Sequence, residues 1–181
     1  MGYTRKSVGI GALGGILIAI AIISSVNTYF TYGTGKLVIS IKDPPQWMDA
    51  THVYIKCSKM EIHREDGNES GWITIFQNLG WINLAEILNS SKMLGEAELQ
   101  AGKYNIIRFY ISDALVTVNG ENMTAEVLSG KLQIVITHGG ITINAGQASK
   151  LLIDIETRVT YTPRGYKIHP NLKSALPLGD Q

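Results

Sequence analysis

The residues that could do chemistry in this chain are few and scattered. The histidines are His52, His63, His138 and His169, and no pair has the H-x-x-x-H or H-x-H spacing of a local metal site. His63 follows Glu61 by two residues and reads as a polar residue at a strand end. His138-Gly139-Gly140 has the composition of an esterase oxyanion loop. No G-x-S-x-G elbow accompanies it, so it reads as a turn. Cys57 is the only cysteine, which rules out an intramolecular disulfide and a Cys-based zinc cluster. It shares a face with Val53 and Ile55 and reads as a small buried hydrophobe. Asp43 precedes Pro44 as in an Asx turn, and Asp113 caps a strand end. Asp154 and Glu156 lie on one strand face. Such a pair could serve acid–base catalysis or bind Ca²⁺, but a solvated sheet face accounts for it more simply. No catalytic residue, metal or cofactor is expected, and the chain reads as non-enzymatic.

Binding is the chemistry that remains. Trp47, Trp72 and Trp81, with Tyr54 and Tyr110, could line a carbohydrate-binding face. Alternation with Thr74 and Phe76 assigns Trp72 to the core. Trp47 follows Pro44-Pro45 in a loop and is the candidate exposed binding aromatic. Three N-x-S/T sequons, at Asn68, Asn89 and Asn122, fall in expected loops or turns and are candidate N-glycosylation sites.

The elements that must position these residues fall into two parts. Of the 181 residues, 17% are charged, and residues 7–30 contain no charge. A helix over the 19 residues 8–26 would span about 28 Å, close to the hydrocarbon thickness of a bilayer. Arg5 and Lys6 precede it, and the next basic residue is Lys36. The positive-inside rule then puts the N-terminus in the cytoplasm and the body outside. The expected organisation is a cytoplasmic flank over 1–7, a transmembrane helix or signal anchor over 8–30, an exported domain over 31–176 and a flexible tail over 177–181. Gly11, Gly15 and Ala19 recur every four residues and form a small-residue stripe suited to helix packing.

The body carries a net charge of −1, which argues against a nucleic-acid partner. Runs rich in β-branched and aromatic residues alternate with Gly, Asn, Asp and Pro. Lys36–Lys42 alternates with Leu37, Ile39 and Ile41 on one face. Val53, Ile55 and Cys57 share a face, and Met60 and Ile62 fall one residue out of phase, which predicts a bulge near Ser58–Lys59. Asn119-Gly120 predicts a tight hairpin, and Asn83–Leu88 is the one expected short helix. The fold class is mainly β: a single antiparallel β-sandwich of about ten strands behind an N-terminal transmembrane helix.

The body resembles the domain-of-unknown-function family numbered 4382, found on archaeal and bacterial surface or secreted proteins. The residues that carry the resemblance run in order from Gly35–Pro44 through Val53-Tyr54-Ile55, Gly71–Ile75 and Leu94–Tyr104. They continue through Ile107-Arg108, Ser129–Leu132, Leu152–Ile155 and Gly165–Pro170. The resemblance implies an exported β-sandwich and supplies no catalytic residues. It also implies a final strand, where Pro177 and Gly179 suggest a fraying tail. Separately, Val8–Leu13 after Arg5-Lys6-Ser7 resembles the N-terminus of archaeal flagellins and type IV pilin-like subunits, which implies a filament helix.

The expected function is a membrane-anchored domain outside the cell with a structural or adhesive role. Its partners would be the membrane and a surface glycan or protein ligand. One alternative is a filament subunit, self-associating through the helix or through strand Gly35–Lys42 inserted into a neighbour's sheet. A further alternative is an extracytoplasmic hydrolase or metal-dependent enzyme assembled across strands.

Overall fold

A computed structural model of the chain describes residues 33–42, 47–67, 69–88 and 90–179. The 8–30 segment with Gly11, Gly15 and Ala19, the turn residue Asp43, and the sequon residues Asn68 and Asn89 lie outside the described residues.

Ten strands follow one another: β1 (Thr34–Lys42), β2 (His52–Arg64), β3 (Trp72–Asn83), β4 (Lys92–Gln100), β5 (Gly102–Val118), β6 (Glu121–Val127), β7 (Lys131–Val135), β8 (Ile141–Ile143), β9 (Ala148–Thr162) and β10 (Gly165–Leu178). All belong to one sheet in the order β3-β2-β5-β6-β10-β9-β1-β4, with β7 and β8 also paired to β5. This corrects the expected sandwich: the sheet is continuous and barrel-like. The physical reason is the parallel pairing of β10 with β6, Tyr166 opposite Ala125 through Ile168 opposite Val127. Leu128 N–H extends it by donating to Ile168 O at 3.1 Å. A sandwich would leave that seam unbonded. The two free ends, β3 and β4, approach each other where Phe76 lies against Gly95.

Local chemistry explains the strands. Leu37, Ile39 and Ile41 of β1 are fully buried, as their alternation requires. β1 pairs with β9 in parallel and with β4 antiparallel, so both its edges are bonded within its own chain. In β2, Ser58 is the bulge residue: Cys57 lies opposite Ile111 and Lys59 opposite Tyr110. The Ser58 hydroxyl donates to Tyr110 O at 3.1 Å, and Cys57, Met60 and Ile62 all stay inside. Asn119 and Gly120 both have positive φ, 52° and 83°, as a type I′ hairpin needs.

The expected helix is a 3-10 turn, Leu84–Ile87, started by Asn83, whose side-chain oxygen accepts from Ala85 N–H at 3.1 Å. Leu84 and Ile87 are buried in the core from this turn. Of the tail expected over 177–181, Pro177 and Leu178 belong to a strand. β10 runs to Leu178, with Pro177 opposite Leu151. Proline lacks an N–H, but near a strand end that loss breaks little of the ladder.

Candidate functional site

The outer face of β3, β2, β5 and β7 holds the cation–ring contacts of the described residues. Direct cross-strand pairings arrange it in rows. Trp72 sits opposite His63. Glu61 sits opposite Arg108, and Arg108 opposite Gln133. Lys59 sits opposite Tyr110, and Tyr110 opposite Lys131. One row further along, Trp81 faces Lys56, which faces Asp113.

Arg108 is the most constrained cation of this face. Its guanidinium carbon lies 3.3 Å from the Trp72 ring centroid, and Nε donates to Gln133 Oε1 at 2.7 Å. Stacking and that bond fix the plane of the fork, and its terminal nitrogens make no hydrogen bond among the described residues. His63 meets the same indole, centroids 4.9 Å apart, and its Nδ1 lies 3.1 Å from Asn105 Oδ1.

Glu61 forms the centre of a second group. Lys59 Nζ reaches it at 2.7 Å and the Tyr110 hydroxyl donates to it at 2.8 Å. Burial alone would push the Glu61 carboxyl up. The bonds from Lys59 and Tyr110, with the charges of Lys59 and Arg108, outweigh it and hold the carboxyl below its ordinary value. The same bonds raise Lys59 and Tyr110. Lys59 also sits 4.3 Å from the Tyr110 ring centroid, and Lys131 approaches that ring at 5.8 Å. Lys56 pairs with Asp113 at 3.4 Å and lies 5.8 Å from the Trp81 ring, which is 46% exposed.

Four cations therefore share this face with two carboxylates, each already held by a lysine. Arg108 and Lys131 are the surplus. Beside them, a shallow groove of about 510 Å³ between β7 and β10 is lined by Lys131 and Gln133 on one wall and by His169 and Asn171 on the other.

Trp47 corrects the expectation of an exposed aromatic. It is 6% exposed and belongs to the core, because the turn that starts with it, closed by Ala50 N–H to Trp47 O, folds back over the end of the sheet. Burying so large an apolar side chain stabilises that arrangement, although its indole N–H finds no partner. Its neighbour Met48, at 71%, takes the exposed position.

Trp72 moves the other way. A register shift between Met60 and Glu61, where β3 carries Ile75 as an extra residue, breaks the alternation of Trp72, Thr74 and Phe76. Trp72 and Thr74 thus face outward and Phe76 packs on the core. Tyr54, Tyr110 and Trp81, expected on a common face, share this one with Trp72. Lys59, Arg108 and Lys131 were not singled out from sequence. The available signal was the strict alternation of Arg108 and Tyr110 with the buried Ile107, Phe109 and Ile111.

The other candidate residues stay apart. His52 stacks near Tyr54 with centroids 6.1 Å apart, His138 adopts φ 57° in its turn, and His169 Nε2 lies 3.2 Å from Thr160 Oγ1. Asp154 pairs with Lys42 at 2.9 Å and Glu156 with Lys173 at 2.9 Å, on the far side of the molecule. Among the described residues no group of three His, Cys, Asp or Glu side chains is arranged to hold a metal ion. Cys57 is buried, and burial pushes its thiol up to about 11 despite hydrogen bonds to Lys59 and Tyr110 that lower it. Asn122 is exposed beside the hairpin turn, its side-chain oxygen accepting from Thr117 Oγ1 at 2.6 Å.

The family model for the domain of unknown function DUF4382 matches residues 34–170. The chain belongs to that family. The match begins at the first residue of β1 and ends in the middle of β10, so the DUF4382 domain takes in the whole outer face described above. No curated protein and no solved structure matches the chain.

Proposed function

We propose that this chain is a membrane-anchored DUF4382 protein whose barrel-like domain lies outside the cell and binds a surface ligand without catalysis. The observation that carries the reading is the outer face of β3, β2, β5 and β7, where aromatic rings and cations stand together on a bonded sheet. A sheet holds such groups with little loss of entropy on binding. Support for the anchor comes from the apolar, charge-free segment over residues 8–26.

Chain direction agrees with this reading. Gly33 O accepts from Ala101 N–H at 2.7 Å, so the segment leads into the sheet at its β4–β5 end. Met48 follows the far end of β1, and Tyr161 lies near the far end of its parallel neighbour β9. These exposed side chains lie at the end of the sheet opposite Gly33. The alternative of strand exchange asks β1 to leave a sheet where both its edges are bonded, and the anchored reading is preferred for that reason.

Protease applied to intact cells, with intact mass and N-terminal peptide mapping of the membrane fraction, tests the proposal. The expected result is a chain that keeps Arg5 and Lys6 and loses its body to protease. A body protected from protease refutes the orientation. A chain starting at Val8 would instead establish pilin-type processing. Extra mass at Asn68, Asn89 or Asn122 would show sequon use.

A further inference from the structure

The charges of the outer face do not cancel. Lys56 and Lys59 pair with Asp113 and Glu61, so among the described residues of this face Arg108 and Lys131 are the cations in excess of carboxylates. Arg108 is held flat on Trp72 with its terminal nitrogens unbonded. A guanidinium fixed in this way presents a fork that matches a carboxylate or sulfate in two parallel hydrogen bonds. Lys131 lies two residues from Gln133, the residue that steers Arg108, so the two cations are about 7 Å apart along neighbouring strands.

Ligand length follows from the same geometry. Trp81 is the exposed ring of this face. It stands two strands away from Arg108 and about four residues along the sheet, a separation of roughly 16 Å. A single sugar or a lone anion touches one of these groups, whereas a chain of several units touches both. At the other side, Lys131 and Gln133 lead into the groove, where His169 and Asn171 offer polar groups to hydroxyls. An aromatic platform, two surplus cations and a polar groove on one face suit a polymer that combines sugar faces with negative groups.

We infer that the ligand is an anionic polysaccharide, running across the sheet from Trp81 past Arg108 and Lys131 into the groove between β7 and β10. This inference rests on the binding role proposed above and names its ligand class. A single-stranded nucleic acid would stack successive bases on several exposed rings, whereas Trp81 is the one exposed ring among the described residues of this face.

The test uses the full chain in phosphatidylcholine nanodiscs and measures binding to heparin, polygalacturonate, dextran, poly(dT) and vesicles containing phosphatidylglycerol. Binding to heparin and polygalacturonate, with none to dextran, is expected. Arg108→Gln and Lys131→Gln should each weaken it about tenfold. Arg108→Lys should recover only part, because it restores the charge without the fork, and Trp81→Ala should weaken long chains more than disaccharides. Equal binding of dextran overturns the role of charge. Acidic-polymer binding that survives Arg108→Gln with Lys131→Gln places the site elsewhere and overturns the inference. Preference for poly(dT) or for the charged vesicles overturns the polysaccharide. Circular dichroism of each variant separates loss of fold from loss of ligand. Protease exposure on cells is a separate readout, so the surface role and the ligand class can fail independently.

Discussion

Gly35→Ala tests how tightly the β8–β9 turn packs on β1. Gly35 lies in β1, and a Cβ built there would stand 2.2 Å from Asn144 O, 2.9 Å from Gln147 O and 2.9 Å from Ile143 Cγ2. Two of these atoms are backbone, and the turn that carries them is bonded to β1 on both sides of Gly35. Gly146 N–H donates to Thr34 O at 2.8 Å, and Lys36 N–H donates to Gln147 O at 2.8 Å. The turn cannot retreat by the ångström required without stretching both bonds. Overpacking costs about 1–3 kcal/mol, and each weakened bond adds about 1 kcal/mol. We expect a loss near 3 kcal/mol, which at a urea slope of about 2 kcal/mol/M lowers the unfolding midpoint by about 1.5 M. Alanine carries no backbone penalty in an extended strand, so the effect is purely steric. Urea unfolding followed by circular dichroism, on the full chain in non-ionic detergent, measures it. Gly179→Ala is the control, because a Cβ there meets nothing within 4 Å. A midpoint shift below about 0.3 M for Gly35→Ala would refute the tight approach of the β8–β9 turn to β1.

Four further outcomes follow from the same structure. A double-mutant cycle of Arg108→Gln and Trp72→Leu should give a coupling of about 1 kcal/mol; a value near zero means the guanidinium is not held on the ring. Cys57 should resist iodoacetamide at pH 8 in the folded chain and react once urea unfolds it; rapid labelling of the native protein contradicts its burial and raised thiol. Glu61 has a folded-state pKa below its unfolded value, so its contribution is present above about pH 4.5 and is lost as pH falls through the lower folded value. Glu61→Gln should therefore flatten the decline in stability below pH 4.5 and leave the profile between pH 5.5 and 7 unchanged in shape. Phe109→Ala, at a fully buried position in the middle of the longest strand, should cost about 3–5 kcal/mol in the same unfolding assay; a loss under 1 kcal/mol would show that the core is not packed around this ring.

Much of the fold was readable from local pattern. The alternation of Leu37, Ile39 and Ile41, the phase slip at Ser58 and the Asn119-Gly120 turn each correspond to an observed strand face, bulge or hairpin. These features depend on residues within a few positions of one another, where the period of two and the demand for positive φ act directly. Two strands are less plain from local pattern: Ser112 and Asp113 lie within one continuous β5, and β4 carries no clean alternation. Its sequence Lys92–Gln100 is polar on its outer face and holds Gly95, which is tolerated where Phe76 covers it.

What the sequence determined by itself was the β class, the apolar N-terminal segment, the local bulge and turns, and a family resemblance that the match over residues 34–170 bears out. Only the tertiary structure decided the closure through β6 and β10, the burial of Trp47 and the outward turn of Trp72. The reason is range. Alternation specifies two faces of a strand, but a single bulge at Ile75 exchanges them, and pairing between Ala125 and Tyr166 joins residues 41 positions apart. Arg108, Trp72, Gln133 and Lys131 lie on three strands, and their approach exists only once those strands share a register.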